Sequence, residues 1–360
     1  MAHRPPEADA LETSRRSVAA EAPIGELTRL RQTPGRRALT IGLTAAVALL
    51  AGTTLAGFLA EQWWVFELAS NLRLHLALAL LAGAAALVGI RRVPVAIAAL
   101  GAAALNLAVI AAAFTGPQPA AAASLGAGAP SLEVTFFNTK IVHADMADTI
   151  EVLRSREDDV VVLAGGFTDW IDAIEAADLD LHLLAGPHTH DGLELIALAR
   201  DADAEVEVHW LGAERRDVFV EVRTEVDGLP VRVLGTHVVS PRTSPRATRR
   251  NAMLEWIPGW VSGGSSPAVV IGDLNATPWS PVLRRVTGEA GLVDSQLGHG
   301  FQPSYPASLR WFGLPIDHVL HTRDLTTVER HLGPSLGSDH RMVHAELTPA
   351  VPDDLEEHGG

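Results

Sequence analysis

Residues 38–60, 74–90 and 93–114 are apolar runs that contain no Asp, Glu, Lys or Arg. At 1.5 Å per helical residue each comes close to the ~30 Å needed to cross a hydrocarbon core. The second, LHLALALLAGAAALVGI, is the shortest and needs the preceding FELASN segment to complete a crossing. The sequence therefore predicts three transmembrane helices, rich in the Ala and Gly that let helices pack closely in lipid. Too few polar groups lie within them for a transport path, which leaves Asn106 as an interhelical hydrogen-bonding residue. A cleaved signal peptide is the alternative for the first run, but the leader before it is too long and the apolar stretch exceeds an ordinary signal core.

Arg4, Arg15, Arg16, Arg29, Arg31, Arg36 and Arg37 precede the first run, and Arg91 and Arg92 separate the second from the third. Between the first and second there is only Arg73. Positive charge collects on cytoplasmic loops, so the expected protein is multi-pass in the cell membrane, with its N terminus cytoplasmic. Everything after residue 114 is then extracytoplasmic. The leader, 1–37, has the Pro-, Arg- and acid-rich composition of a disordered segment. Cysteine is absent, which removes a disulfide framework and thiolate metal sites.

Residues 115–130, TGPQPAAAASLGAGAP, read as a linker. Extended at ~3.3 Å per residue it reaches about 50 Å, which keeps the following domain near its own membrane. That domain, 131–348 with an acidic tail at 349–360, is long enough for one large core. From residue 131 onward there are 18 of the 28 Lys and Arg and 36 of the 43 Asp and Glu, a formal net charge of −18. Duplex DNA is bound largely through cationic side chains, so this acidity argues against it as a partner. A divalent cation is suited to such a surface.

Strand and helix patterns alternate along the domain. LEVTFFN (132–138) and DVVVLAG (159–165) have strand composition, and the second is a continuous apolar run of the kind buried on both faces. ADTIEVLRS and DWIDAIEAA have helical spacing. ELIALAR, AEVEVHWL, DVFVEVRTEV and LPVRVLGTHV give four further strands. A helix in RATRRNAMLEWIPGW, the strand AVVIGDLN, a short helix in PVLRRVTGEAG and two closing strands, IDHVLHT and RMVHAELT, complete the order. Layers of both kinds imply an α/β sandwich.

Polar residues collect at the ends of the late strands. In GDLN, Asp273 and Asn275 share a side if the chain stays extended, and one carboxylate beside one amide can hold a hard cation or a phosphoryl oxygen. The same tetrapeptide is also an ordinary Asx turn. Alternation in LPIDHVLHT sets Asp317 on the face opposite Ile316, His318 and Leu320, and LGSDHRMV places Asp339 and His340 just before the last strand. Each is unremarkable alone.

The ordered set of Asn138 at a strand end, GTH at 235–237, GDLN, IDHVL and GSDHR resembles the endonuclease/exonuclease/phosphatase superfamily over residues 131–348. The resemblance implies a four-layer α/β sandwich, two packed mixed sheets flanked by helices, that hydrolyses phosphodiesters or phosphomonoesters with Mg2+ or Mn2+. Position by position it implies that Asn138 and Asp339 stand at the metal and that His237 contacts the scissile phosphate. Asp273 and Asn275 orient the attacking water and hold the phosphate, and Asp317 orients the catalytic His340. Whether Asp273 or His340 is the base stays open.

One position departs from the family. Its second motif ends in a metal-binding glutamate, and Gly165 stands there instead. The loss weakens a site that takes oxygen ligands, and Asp169 is a possible substitute, although an acid at a helix start also suits the macrodipole. Downstream of GTH, Arg242, Arg246, Arg249 and Arg250 form either a phosphate-binding rim, with Arg242 and Arg246 nearest, or a solvated helix face. Trp279, Phe301, Tyr305, Trp311 and Phe312 are mostly core, with exposed members able to touch lipid or an apolar part of a substrate. Two functions follow. One is a membrane-anchored metal-dependent phosphoesterase acting on a lipid head group, a nucleotide or another phosphoester. The other is a pseudoenzyme that binds a phosphorylated ligand or partner without cleaving it.

Overall fold

The computed structural model describes residues 34–116, 118–119, 130–139, 144–165, 168–186, 194–212 and 214–350. The predicted disordered leader up to residue 33, most of the 115–130 linker and the tail from residue 351 lie outside the described residues. The chain divides into two compact units after Ala46. In the first, the described part is the opening of α1 (Pro34–Ala56), where the Thr40 and Thr44 hydroxyls donate to the carbonyls of Arg36 and Thr40 at 2.9 and 2.8 Å. All later elements belong to the second unit, Val47–Gly360.

After α1 come α2 (Trp64–Asn71), α3 (Arg73–Gly89) and α4 (Val93–Phe114). By length and composition two helices, Pro34–Leu59 and Val93–Phe114, are able to cross a membrane, and α2 with α3 makes a third only as a pair bent by 67°. This corrects one expectation: FELASN does not lengthen the second run in line but forms most of a separate helix. It turns aside because Glu67, Ser70 and Asn71 are buried against the C-terminal domain. Asn106 is interhelical as expected, donating to Thr54 Oγ1 at 2.8 Å and accepting from Arg73 Nη1 at 3.2 Å.

The remainder is β1 (Leu132–Asn138), α5 (Met146–Arg154), β2 (Val160–Ala164), α6 (Thr168–Ala176), β3 (His182–Ala185), β4 (Leu195–Ala199), β5 (Glu205–Leu211), β6 (Asp217–Val226), β7 (Leu229–His237) and α7 (Ser244–Ser262). It continues through β8 (Ala268–Asp273), α8 (Pro281–Ala290), β9 (Leu292–Asp294), β10 (Asp317–Thr322), β11 (Leu325–Leu332) and β12 (Val343–Pro349). Two six-stranded mixed sheets result, ordered β11-β12-β1-β2-β4-β3 and β5-β6-β7-β8-β10-β9.

Alternation along each strand decides what fills the layers. Val160, Val162 and Ala164 of β2 meet Val218, Val220 and Val269 of the other sheet in the central core. The intervening Val161 and Leu163 pack outward with Trp170 and Ile174 of α6. Leu234, Val270 and Leu320 cover the far face of the second sheet beneath Leu254 and Ile257 of α7. Both faces of both sheets are therefore covered, which is the four-layer sandwich and the reason DVVVLAG reads as an unbroken apolar run.

The helical region is fastened to this sandwich by polar contacts. Glu67 of α2 accepts from Arg250 of α7, both fully buried, and from Ser280 Oγ at 3.3 Å. Asn71 Oδ1 accepts from Thr277 N at 3.1 Å and Thr277 Oγ1 at 2.8 Å, and Trp279 Nε1 donates to Ser70 O at 2.9 Å. At the other end Phe114 packs edge-on against Trp279 and Phe301, with centroids 6.2 and 6.0 Å away. Removing one partner of a buried ion pair leaves the other charge uncompensated. Glu67→Gln is therefore expected to destabilise the full chain by about 3–5 kcal/mol. Thermal unfolding in detergent checks this, and an unchanged midpoint would show that α2 does not hold the domain.

Candidate active site

The second sheet lines up three polar residues by register. His237 of β7 lies opposite Asp273 of β8 in a parallel pair, and Asp273 lies opposite Asp317 of β10 in an antiparallel one. Gly272 allows the β7 and β8 backbones to approach, since a Cβ there would stand 2.0 Å from Thr236 O. From the first sheet β1 ends at Asn138, whose Nδ2 donates to Asp273 Oδ2 at 3.1 Å. Two sheets thus bring their strand ends to a single rim.

His340, just before β12, closes the group. Its Nδ1 is 2.9 and 3.1 Å from the two Asp317 oxygens, and its Nε2 is 3.8 Å from Asp273 Oδ2. A carboxylate only accepts, so Nδ1 carries a proton and donates it to Asp317. Ser338 fixes the loop by accepting from His340 N at 3.0 Å and donating to Asn138 O at 2.6 Å. The Tyr305 ring lies 4.7 Å from the imidazole.

Burial and charge pull these groups apart in protonation. Burial opposes the His340 cation, but the Asp317 carboxylate, through charge and hydrogen bond, outweighs it and raises the imidazole to about 9. Asp273 is pushed up to about 7, by burial first and then by repulsion from Asp317. His237 falls to about 4, again through burial, followed by repulsion from His340. At neutral pH the floor holds a charged imidazole, a neutral one and a carboxyl poised near its midpoint.

A cleft of about 720 Å³ opens over this floor. Asn138, His237, Asp273, Asn275, Asp339 and His340 all line it. Arg242 and Arg246 line it too, as does Gly165. Asp317 lies behind His340, fully buried.

Some expectations are corrected by the geometry. β8 stops at Asp273, and Asn275 takes a left-handed φ of 48° while its N donates to Asp273 Oδ1 at 2.8 Å. The extended continuation is therefore absent and GDLN is an Asx turn, yet a turn that puts both side chains in the cleft wall. Asp169 is exposed in the first turn of α6 and is not among the described residues of the wall, as suits an acid at a helix start in water. Arg250 is buried against Glu67 and takes no part in a phosphate rim.

Gly165 has φ 83°, a left-handed backbone that an L side chain enters only with strain. Its N donates to Glu194 O at 2.8 Å across the β2–β4 edge. Glu194 itself is 6% exposed, with no hydrogen-bond partner at Oε2 among the described residues. Among the described residues two other acid–histidine groups lie elsewhere, Glu133–Asp158–His344 and Glu207–His209–Glu221. Their buried acids are already bonded, Asp158 to Arg156 and Thr135, Glu221 to Arg223 and Trp260.

The sequence model of the endonuclease/exonuclease/phosphatase family matches residues 137–340, more than half of the chain. The chain belongs to that family. No match was found among curated proteins. Solved structures with a similar fold include an endonuclease/exonuclease/phosphatase from Beutenbergia cavernae DSM 12333, at 21% identity and TM-score 0.49, covering 61% of this chain and 72% of that one. A humanized D. rerio TDP2 has 14% identity and TM-score 0.51, covering 61% and 99%. A Bacteroides vulgatus endonuclease/exonuclease/phosphatase has 16% identity and TM-score 0.50, covering 61% and 99%. At these identities the likeness is one of fold.

Within this family member, the sequence did not reveal Leu68, Asn71 and Leu72 as part of the cleft wall, nor Leu314 and Ile316. A run of apolar residues beside a predicted span carries no signal that it will line a polar site. The proton bookkeeping can be checked directly. A histidine held near 9 when folded, against 6.5 ordinarily, stabilises the fold fully below pH 6.5 and loses that contribution as pH rises through 9. In chelator, the stability difference between wild type and His340→Gln should therefore shrink between pH 6.5 and 9.5, as read by thermal unfolding at each pH. A difference constant across that window would place the proton elsewhere.

Proposed function

We propose that this chain is a membrane-anchored, divalent-metal-dependent phosphoesterase whose catalytic domain lies on the extracytoplasmic face. One observation carries the reading: the Asp317–His340 pair faces Asp273 beneath a cleft rimmed by Arg242 and Arg246. The charge bias of the leader and of the Arg91–Arg92 turn supports the orientation.

The side chains divide the work of phosphoester hydrolysis. The guanidinium groups of Arg242 and Arg246 attract and orient a phosphate entering the cleft. His340, held in one orientation by Asp317 and charged at neutral pH, offers Nε2–H to a phosphoryl oxygen as negative charge grows there. His237, neutral, supplies a hydrogen bond without adding charge. Asp273, 3.7 Å from His237 Nε2 and 3.8 Å from His340 Nε2, is placed to take the proton of an attacking water. Asn275 fixes that carboxylate from below through its backbone N.

The donor set fits a hard divalent cation. Asn138 contributes an amide and Asp273 and Asp339 carboxylates, and Asp273 is buried beside a second carboxylate, where a cation relieves the repulsion that raises it. Asn138 and Asp339 would hold Mg2+ or Mn2+, which supplies neutralisation of the phosphoryl charge. A second reading, a pseudoenzyme that binds a phosphorylated ligand without cleaving it, is favoured by Gly165 where the resemblance calls for a glutamate.

One experiment separates the two. The full-length protein in detergent is expected to hydrolyse bis(4-nitrophenyl) phosphate in Mg2+ or Mn2+ and to stop in excess chelator. His340→Ala should lower kcat/KM by roughly 10²–10⁴-fold, the range for loss of a positioned proton-transfer group. Absence of turnover in either metal, with phosphoester binding retained, would establish the pseudoenzyme.

A further inference from the structure

The wall of the cleft is built partly from the anchor. Leu68 and Asn71 belong to α2, and Leu72 is the residue between α2 and α3, yet all three line the same space as His237, Asp273 and His340. Leu68 and Leu72 are four residues apart and so fall on one side of the helical path. Leu72 is 43% exposed and immediately precedes the apolar helix Arg73–Gly89. At 1.5 Å per residue, the wall of the cleft begins within a turn of the end of that helix.

A second stretch of the cleft wall has the same character. Tyr305 and Leu314 pair as an antiparallel bridge, and both line the cleft. The loop between them carries an apolar tip, with Leu309 47%, Trp311 70% and Phe312 56% exposed. That tip is tied to the first turn of α3, where His75 Nε2 donates to Phe312 O at 2.8 Å. Both stretches therefore present large apolar side chains beside the bend between α2 and α3, at the first turn of the apolar helix Arg73–Gly89. Exposed apolar groups cost about 25 cal/mol per Å² in water, so large exposed apolar side chains beside a binding site mark an apolar partner.

We infer that the ligand of this cleft is a phospholipid presented by the bilayer that holds the chain's own helices. Its phosphate reaches the floor of Asp273, His237 and His340, while its acyl portion lies against Leu68 and Leu72. The cleft volume of about 720 Å³ accommodates a head group and the first part of the chains. A soluble phosphoester would use the same polar floor and gain nothing from the leucines. The inference rests on the proposed function for the chemistry at the floor, but its core is a statement about binding.

The test compares two ligands that share a head group. Full-length protein in amphipol, with chelator present to prevent turnover, is titrated calorimetrically with dihexanoylphosphatidylglycerol below its micelle concentration and with glycerophosphoglycerol. The lipid is expected to bind at least tenfold more tightly. The double variant L68S/L72S is expected to bring the ratio below threefold, and Leu72→Ala alone to narrow it should the double variant fail to fold. Equal affinity in the wild type, binding of neither compound, or a ratio unmoved by both variants overturns the inference. A lipid preference without turnover of either compound or of bis(4-nitrophenyl) phosphate, in Mg2+ or in Mn2+, leaves it standing and removes the hydrolase reading. Turnover of both with no preference does the reverse.

Discussion

Two carboxylates, Asp273 and Asp317, are held opposite each other by the β8–β10 register at a buried rim. Like charges in a poorly solvated site repel strongly, so the pair exists only because other groups share its charge. His340 sits against Asp317 and reaches toward Asp273, Asn138 donates to Asp273, and Arg330 donates to the Asp317 carbonyl at 3.3 Å from the other side. Burial brings that guanidinium down to about 10, still charged at neutral pH. The pairing of the sheets, the Ser338 turn and the GDLN turn are the means by which the two acids acquire these partners. The chemistry proposed for the cleft is a use of that charge imbalance.

The second constraint is the docking of α2. A loop between two apolar helices could hang free, but Glu67, Ser70 and Asn71 bond to the segment 277–280 and to Arg250. That segment directly follows the Asp273–Asn275 turn. The floor of the cleft and the helix beside the apolar region thus share one set of buried hydrogen bonds, and the position of one is coupled to the position of the other. Arg250 also donates to Asn275 O at 3.1 Å, so a single side chain touches both.

The fold was legible in the sequence wherever burial was two-sided or alternation was regular. β1, β2, β7, β8 and β10 were read nearly to their ends, because their apolar patterns follow from covered faces. β11 was not, since a bulge between Thr327 and Glu329 and the exposed Val328 break its period. β9 is three residues long and carries no period to detect. The polar residues of the floor were legible as an ordered set because strand ends lie at fixed places in the chain. Arg250 was misplaced because charge near a motif says nothing of direction, and it turns inward to Glu67, whereas Asp169 stands exposed at a helix start, one of the two places its position offered. Nothing local in FELASN marks Glu67 as a buried ion-pair partner of a residue 183 positions later.

Gly165 shows how a missing side chain becomes a property of the backbone. A glutamate lost by mutation alone would leave an ordinary strand end into which it could return. Here the chain passes residue 165 at φ 83°, and left-handed geometry costs an L residue roughly 1–2 kcal/mol. The same turn keeps the β2–β4 edge paired through Gly165 N and Glu194 O, so relieving the strain would disturb that hydrogen bond. The departure is thus built into the strand end and its neighbour rather than confined to one position. Asp273, Asp317 and Asp339, from the other sheet and from the loop before β12, are the acids the family resemblance already implies, so none of them replaces the lost carboxylate.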